Sequence, residues 1–390
     1  MLGAATFPAL LPTFVDEWQL SKTDAGWING IYFAGYLLAV PVLTSLTDRQ
    51  SPRLIYCACL VITALSSFAF ALLAKGFWTA MLFRTLAGIG LAGTYMPGLK
   101  LLNDQLDMIN PGGDHSRSVA FYTSSFGIGT SISILMAGEI ATAYSWQLAF
   151  LISGIGPALG LMLLLWALPK KHSQDTAAPT THLLDFRPVL KCRAAMAYVV
   201  AYTLHNFELF AFRSWLVAYL IFAASTGPDR SLFVSATAIA AFVNLLGMPS
   251  SVMGNELSRR FGRHKVISLI MIVSALIGFI IGFMAGAPLW VITLLVMVYG
   301  VTITADSSAI TAGVVASAPT GYKGATMAVH SSIGFVGSFA GPLVFGMMLD
   351  LADPGNTGGT TIDSWGWAFA FSGATIILGP LFLATMGRSK

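Results

Sequence analysis

Eleven windows of about 20 predominantly apolar residues follow one another along the chain, near 25–46, 54–74, 77–99, 118–141, 146–168, 195–222, 231–253, 266–286, 288–316, 324–349 and 366–386. Each is long enough to cross the ~30 Å hydrocarbon core of a bilayer at ~1.5 Å per helical residue. Inside lipid every backbone N–H and C=O must be satisfied within the segment, so runs of this length read as helices. Composition agrees, since 56% of the 390 residues are hydrophobic and 10% charged, where a soluble domain carries roughly a quarter charged. A soluble globule is excluded, and the expected class is an all-α, multi-pass membrane protein. Residues 1–14 form a twelfth apolar segment that reaches only ~21 Å, so the first helix reads as truncated. No basic n-region or cleavage site makes it a signal peptide.

The 21 lysines and arginines set the expected orientation. With the polar stretch 169–194 in the cytosol, 16 of the 21 fall on that side, among them Arg49, Arg53, Lys100, Lys170, Lys171, Arg259, Arg260 and Arg263. Lys22, Lys75 and Arg230 fall on the other, leaving Arg84 and Arg213 within the membrane. The positive-inside rule then predicts both termini cytoplasmic, as for a bacterial inner-membrane protein, with lipid as the surrounding partner. The net charge of +4 follows topology and gives no reason to expect a nucleic-acid partner. Eight of the nine tryptophans, including Trp146, Trp215 and Trp365, are expected at the outer ends of spans as an interfacial belt. Cys57, Cys59 and Cys192 offer neither a disulfide framework nor metal-ligand spacing, so no metal and no cofactor is expected.

Residues 169–194 divide the chain into two halves that resemble each other. Ser145-Trp146-x-x-Ala149-Phe150-x-x-Ser153-Gly154 recurs as Ser364-Trp365-x-x-Ala368-Phe369-x-x-Ser372-Gly373, and Ser124-Ser125-Phe126-Gly127 answers Ser331-Ser332-Ile333-Gly334. The expected organisation is a six-helix bundle over 1–168, a cytosolic linker over 169–194 and a second six-helix bundle over 195–390.

Two basic loops carry a family resemblance. Leu46, Asp48, Arg49 and Arg53 match the G-x-L-x-D-R-x-G-R-[RK] signature of the major facilitator superfamily, with Thr44 and Ser51 in place of glycines and Pro52 in place of an arginine. In the second half Leu257-Ser258-Arg259-Arg260-Phe261-Gly262-Arg263 resembles it again, with Arg259 where the signature has its aspartate. Arg84-x-x-x-Gly88-x-Gly90 is similar to a pattern of proton-coupled members, whereas the antiporter pattern of the fifth helix is not met at 127–133. The resemblance implies a twelve-helix fold of two pseudo-symmetric halves, a monomer, and a secondary transporter that moves a small solute by alternating access. It also implies a gating role for Asp48, Arg49, Arg53, Arg259, Arg260 and Arg263.

Ionisable groups inside a membrane are costly and default to function. Glu208 lies at the midpoint of its span, and His205 shares its face three residues away, so the two are expected to meet. Desolvation makes charge expensive there, which points to Glu208 as a proton-coupling group with Asp306 as its rival. In the resembling fold, Arg84 and the 205–213 cluster line a central cavity. Arg84, Arg213, His205, Asn29 and Tyr32 are the expected substrate contacts, and the two arginines lean toward an organic or inorganic anion. His330 reads as a hydrogen-bonded packing residue. The stripe Gly334, Ser338, Pro342 and Gly346 reads as a close helix contact.

Other classes have weaker footing. Asn103-Asp104-x-x-Asp107 resembles the start of a prenyltransferase magnesium site, but its third position is Pro111. A transporter-like receptor is the other alternative. No Walker-type phosphate loop is present. No catalytic residues are expected, and the chain reads as no enzyme.

Overall fold

The computed structural model describes residues 2–47, 50–110, 115–167, 186–228, 234–353 and 360–386, and among them every regular element is helical. In chain order these are α1 (Thr6–Ala9), α2 (Leu11–Glu17), α3 (Lys22–Leu46), α4 (Pro52–Leu73), α5 (Phe77–Ile109), α6 (Ser116–Ala143), α7 (Trp146–Ala167) and α8 (Arg187–Lys191). They continue as α9 (Arg193–Thr226), α10 (Ala236–Phe261), α11 (Arg263–Ile281), α12 (Leu289–Ala305), α13 (Ser307–Ala316), α14 (Lys323–Leu351), α15 (Ile362–Ile376) and α16 (Leu378–Met386). Ten helices among the described residues are long and apolar enough to cross a membrane, with 289–316 and 362–386 each counted as one crossing. The expected span at 77–99 lies within the 33-residue α5, which carries Arg84. The chain is a multi-pass integral membrane protein. Residues 169–185 of the expected linker lie outside the described residues.

Local chemistry explains many helix ends. Pro52 opens α4, where its missing N–H costs nothing. Ser235 caps α10 by accepting the Ala238 N–H, and Thr361 and Ser364 form a reciprocal capping box on α15. Gly262 separates α10 from α11 at φ 96°, a conformation that favours glycine. Large apolar side chains such as Leu38, Leu65, Leu72 and Met162 remain exposed on the helices, as lipid-facing positions require.

Contacts divide the chain into two units. The first comprises Met1–Thr6 and Ile31–Leu184. Its α5 packs on α4 at Gly90 and Gly93, where a Cβ would strike Thr63 and Cys59, and on α3 at Gly88, against the backbone of Tyr32. The glycines after Arg84 are therefore closely packed helix contacts. Phe70 stacks on Phe150 at 4.0 Å, joining α4 to α7.

The second unit comprises Phe7–Gly30 and Asp185–Lys390. Its centre is α9, against which α14 packs through Gly337 and Gly341, facing the backbone of Thr203 and Phe207. Its core includes Val189, Ala197, Val199, Ile267, Met271, Ile310 and Val314.

The tryptophans divide by burial. Trp78, Trp290 and Trp367 are exposed, but Trp146, Trp215 and Trp365 are buried. Trp215 donates its Nε1–H to the Pro342 carbonyl at 3.0 Å, and Trp365 packs among Trp215, Tyr219 and Phe369. Trp215 is thus a core anchor whose N–H finds a partner, while Trp365 Nε1 is buried with no hydrogen-bond partner among the described residues and packs through its ring alone.

Candidate functional site

The polar interior of the second unit gathers on α9. Glu208 is 1% exposed. Its Oε1 accepts from Ser274 Oγ on α11 at 2.8 Å and from Tyr299 Oη on α12 at 2.9 Å. Among the described residues no cation lies within ion-pair distance of it, so its neighbours are neutral hydroxyls. Burial penalises the carboxylate charge, and two donated hydrogen bonds offset part of that cost.

His205 does not meet Glu208, contrary to the expectation from their three-residue spacing. Its Nδ1 lies 2.7 Å from Asp306 Oδ1, both side chains nearly fully buried, without the alignment of a hydrogen bond. Helical spacing puts 205 and 208 on one face, yet each side chain turns to a different neighbour. Asp306 occupies the one-residue break between α12 and α13, which lets its side chain face α9. The pairing joins two of the sequence candidates and leaves Glu208 in a separate hydroxyl pocket.

The cluster also includes His330, which the sequence presents only as a packing residue. The Tyr202 ring stacks on His205 at 5.8 Å and lies 3.9 Å from the ring of His330, which is 3% exposed. Thr311 Oγ1 is 3.4 Å from His330 Nε2, while His330 Nδ1 has no hydrogen-bond partner among the described residues. Asn206 Nδ2 donates to the Gly334 carbonyl at 3.1 Å. The available signal was the four-residue step from His330 to Gly334, which places both on one face of α14.

In the first unit, Arg84 lies over the Tyr32 ring at 4.3 Å and donates from Nη1 to the Ala4 carbonyl at 3.5 Å. Two predicted substrate contacts therefore touch each other, in a cation–π arrangement that partly offsets burial of the guanidinium. Asn29 belongs to the second unit and is buried, with no partner for its Nδ2 among the described residues. Arg213, half-buried on α9, has its guanidinium 5.9 Å from the Phe210 ring and no carboxylate partner among the described residues. Arg84 and Arg213 belong to different units.

Of the predicted gating residues, Asp48 and Arg49 lie outside the described residues. Lys100 Nζ donates to Thr47 O and Oγ1, both at 3.1 Å, satisfying a carbonyl just past the end of α3. In the second basic loop Arg259 and Arg260 both reach Glu256, at 3.4 and 3.1 Å, one turn back on α10. These exposed pairs contribute roughly 0.3–0.5 kcal/mol each. Arg53 and Arg263 are half-buried, each with an Nε that has no hydrogen-bond partner among the described residues. The prenyltransferase-like run ends α5 with Asp107 Oδ1 3.0 Å from His115 Nε2.

Comparison with known proteins gives a consistent result. The chain is 26% identical over 161 residues to a niacin transporter, NiaP, of Acinetobacter baylyi, a match covering 41% of this chain and 35% of that protein. It is 26% identical over 286 residues to a hexuronate transporter of Bacillus subtilis, covering 69% of this chain and 66% of the relative. The chain thus spans about a third and about two thirds of these two curated relatives. Among solved structures it resembles the nucleoside transporter NupG, with a TM-score of 0.74 at 17% identity over 100% of this chain and 98% of the other. It also resembles a bacterial homologue of the lysosomal transporter Spinster, with a TM-score of 0.67 at 15% identity over 99% and 92%. These likenesses carry the all-α transporter fold. Residues 1–342 match the Major Facilitator Superfamily, and the chain belongs to that family.

Proposed function

We propose that the protein is a proton-coupled secondary transporter that moves a small solute across a bacterial inner membrane by alternating access between two six-helix halves. The observation that carries this reading is the buried ionisable cluster of the second unit, with Glu208 held by two hydroxyls and His205, three residues before it on α9, paired with Asp306 from the α12–α13 break. A transmembrane carboxyl group without a cationic partner is expensive as a fixed structural feature, and a proton that comes and goes explains its retention.

In this reading Glu208 carries the proton. Arg84, Arg213, His205, Asn29 and Tyr32 contact the solute, and the loop residues Asp48, Arg49 and Arg53 with Arg259, Arg260 and Arg263 act in cytosolic gating. The solute class is a small anion, because a guanidinium offers a permanent charge and a planar fork. The niacin and hexuronate in two relatives' names, both carboxylic acids, support that class. Both termini face the cytosol by the distribution of basic residues, and the protein works as a monomer. The test is uptake of carboxylate solutes into proteoliposomes with and without an imposed pH gradient. Gradient-dependent accumulation supports the reading. Equal equilibration with and without the gradient, for every solute transported, refutes proton coupling.

A further inference from the structure

The N-terminus of α3 is closed by a carboxylate from far along the chain. A helix leaves its first N–H groups without intrahelical partners. Ser21 Oγ accepts the Asp24 N–H at 3.0 Å, and Asp24 Oδ2 accepts the Ser21 N–H at 3.2 Å, so the local sequence caps one turn. The N–H groups of Lys22 and Thr23 donate instead to Asp350, to Oδ1 at 3.1 Å and Oδ2 at 2.7 Å, and Thr23 Oγ1 donates to Oδ2 at 2.6 Å. Asp350 occupies the last turn of α14. A carboxylate there gains both from charge-assisted hydrogen bonds and from the helix dipole.

Along α3 from this cap, the contact is apolar and tight. A Cβ on Gly26 would lie 2.6 Å from the Pro342 carbonyl oxygen, Gly30 meets the Phe339 backbone, and Gly346 meets the Lys22 carbonyl. Trp27 and Phe339 place their ring centroids 5.5 Å apart. This seam groups Phe7–Gly30 with the second unit, although the sequence repeat assigns the segment to the first half. A helix of this family of spans can begin without such help, since α10, the repeat counterpart of α3, is capped by its own Ser235.

We infer that Asp350 is a latch on the face opposite the cytosolic loops, holding α3 of the first half against α14 of the second until the halves part. The inference rests on the alternating-access reading. In that cycle the α3–α14 seam opens when the transporter faces this side, and the three bonds to one carboxylate break together. Glycine, proline and aromatic surfaces can separate and re-form without leaving buried charge, so the carboxylate supplies the polar part of the closing energy. A mutation shifts the cycle only by its differential effect on the two states. Asp350 meets that condition, because its partners exist only in the closed one.

The test uses the full chain in detergent, with Cys57→Ser, Cys59→Ser and Cys192→Ser, and Trp27→Cys as a reporter within the seam. Labelling of Trp27→Cys by a maleimide reports opening. Asp350→Asn is expected to raise the labelling rate about tenfold, the order of a lost charge–dipole contact with its hydrogen bonds. Thr23→Val, which removes one of the three bonds and folds even if Asp350→Asn does not, is expected to raise it by a smaller factor. Labelling at the parental rate in Thr23→Val and in any folded Asp350→Asn, with or without a lower melting temperature, makes Asp350 a structural cap and overturns the proposal. Because labelling needs no solute, failure of the latch is read separately from failure of transport.

Discussion

Replacing Glu208 with Gln changes one titratable group and little else. The amide keeps an acceptor oxygen where Ser274 and Tyr299 donate at 2.8 and 2.9 Å. What it adds is an NH₂ group that costs about 1–3 kcal/mol if it finds no partner. The melting temperature of the purified variant should therefore fall by only a few degrees. The effect on coupling is larger in kind. One pH unit across the membrane is worth about 1.4 kcal/mol per proton, so strict one-proton coupling lets the parent accumulate solute about tenfold per unit. Glu208→Gln should bring that ratio to about one at any gradient while solute exchange between the two sides continues, because only the protonation step is gone. The assay is accumulation and counterflow in proteoliposomes with imposed pH steps. Retention of full gradient-driven accumulation by Glu208→Gln, together with its loss in Asp306→Asn, refutes the assignment and moves the proton to the His205–Asp306 pair.

Single cysteines at Asp175→Cys and Asn356→Cys should label from opposite sides of intact cells, the second from outside; equal labelling of both from outside overturns the proposed orientation. Arg84→Lys and Arg213→Lys should each weaken solute binding about tenfold or more if the planar fork is used, measured as the solute concentration for half-maximal uptake, and unchanged affinity in both removes the bidentate reading. Gly334→Ala places a methyl against the Tyr202 ring and 3.3 Å from Asn206 Nδ2. Such overpacking costs about 1–3 kcal/mol, so coupled uptake and the melting temperature should both fall, while Gly324→Ala, with nothing within 4 Å of the added Cβ, should change neither.

How much of this was legible depends on which interactions a linear sequence can express. Spans are legible because the bilayer demands about 20 apolar residues in succession, and the windows recover the long helices from α3 onward, although α5 and α10 run well past the ends of their windows and the short α8 has none. The repeated Ser-Trp-x-x-Ala-Phe motif was legible too, and its physical reason is visible in both copies. Trp146 and Trp365 each lie in the first turn of a helix and pack on the phenylalanine four residues on, at 6.3 and 6.2 Å. The burial of those same tryptophans was not legible, because the large apolar face of an indole suits both a lipid interface and packing against neighbouring aromatic rings. Partners of the charged groups were hidden for a related reason. Nothing in the spacing of α9 says that Glu208 turns to Ser274 and Tyr299 while His205 turns to Asp306, since those neighbours arrive from helices 66 to 101 residues away.

The small-residue stripe of α14 links the two kinds of information. Read from sequence, Gly334, Ser338, Pro342 and Gly346 say only that some helix approaches closely. In the fold, that approach is what makes the polar cluster possible. Gly334 leaves the space that the Tyr202 ring occupies, and the same ring lies against His205 and against His330, four residues before Gly334 on α14. Gly337 and Gly341 hold the backbones of α14 and α9 together on either side of Ser338, which is fully buried. Along the stripe, the Pro342 carbonyl accepts from Trp215 Nε1, and Gly346 carries the contact to Lys22, one turn from the Asp350 cap. One face of one helix thus connects the His205–Tyr202–His330 cluster to the carboxylate at the N-terminus of α3. A displacement of α14 relative to α9 bears on both, because interdigitated backbones leave no room for either end to move alone.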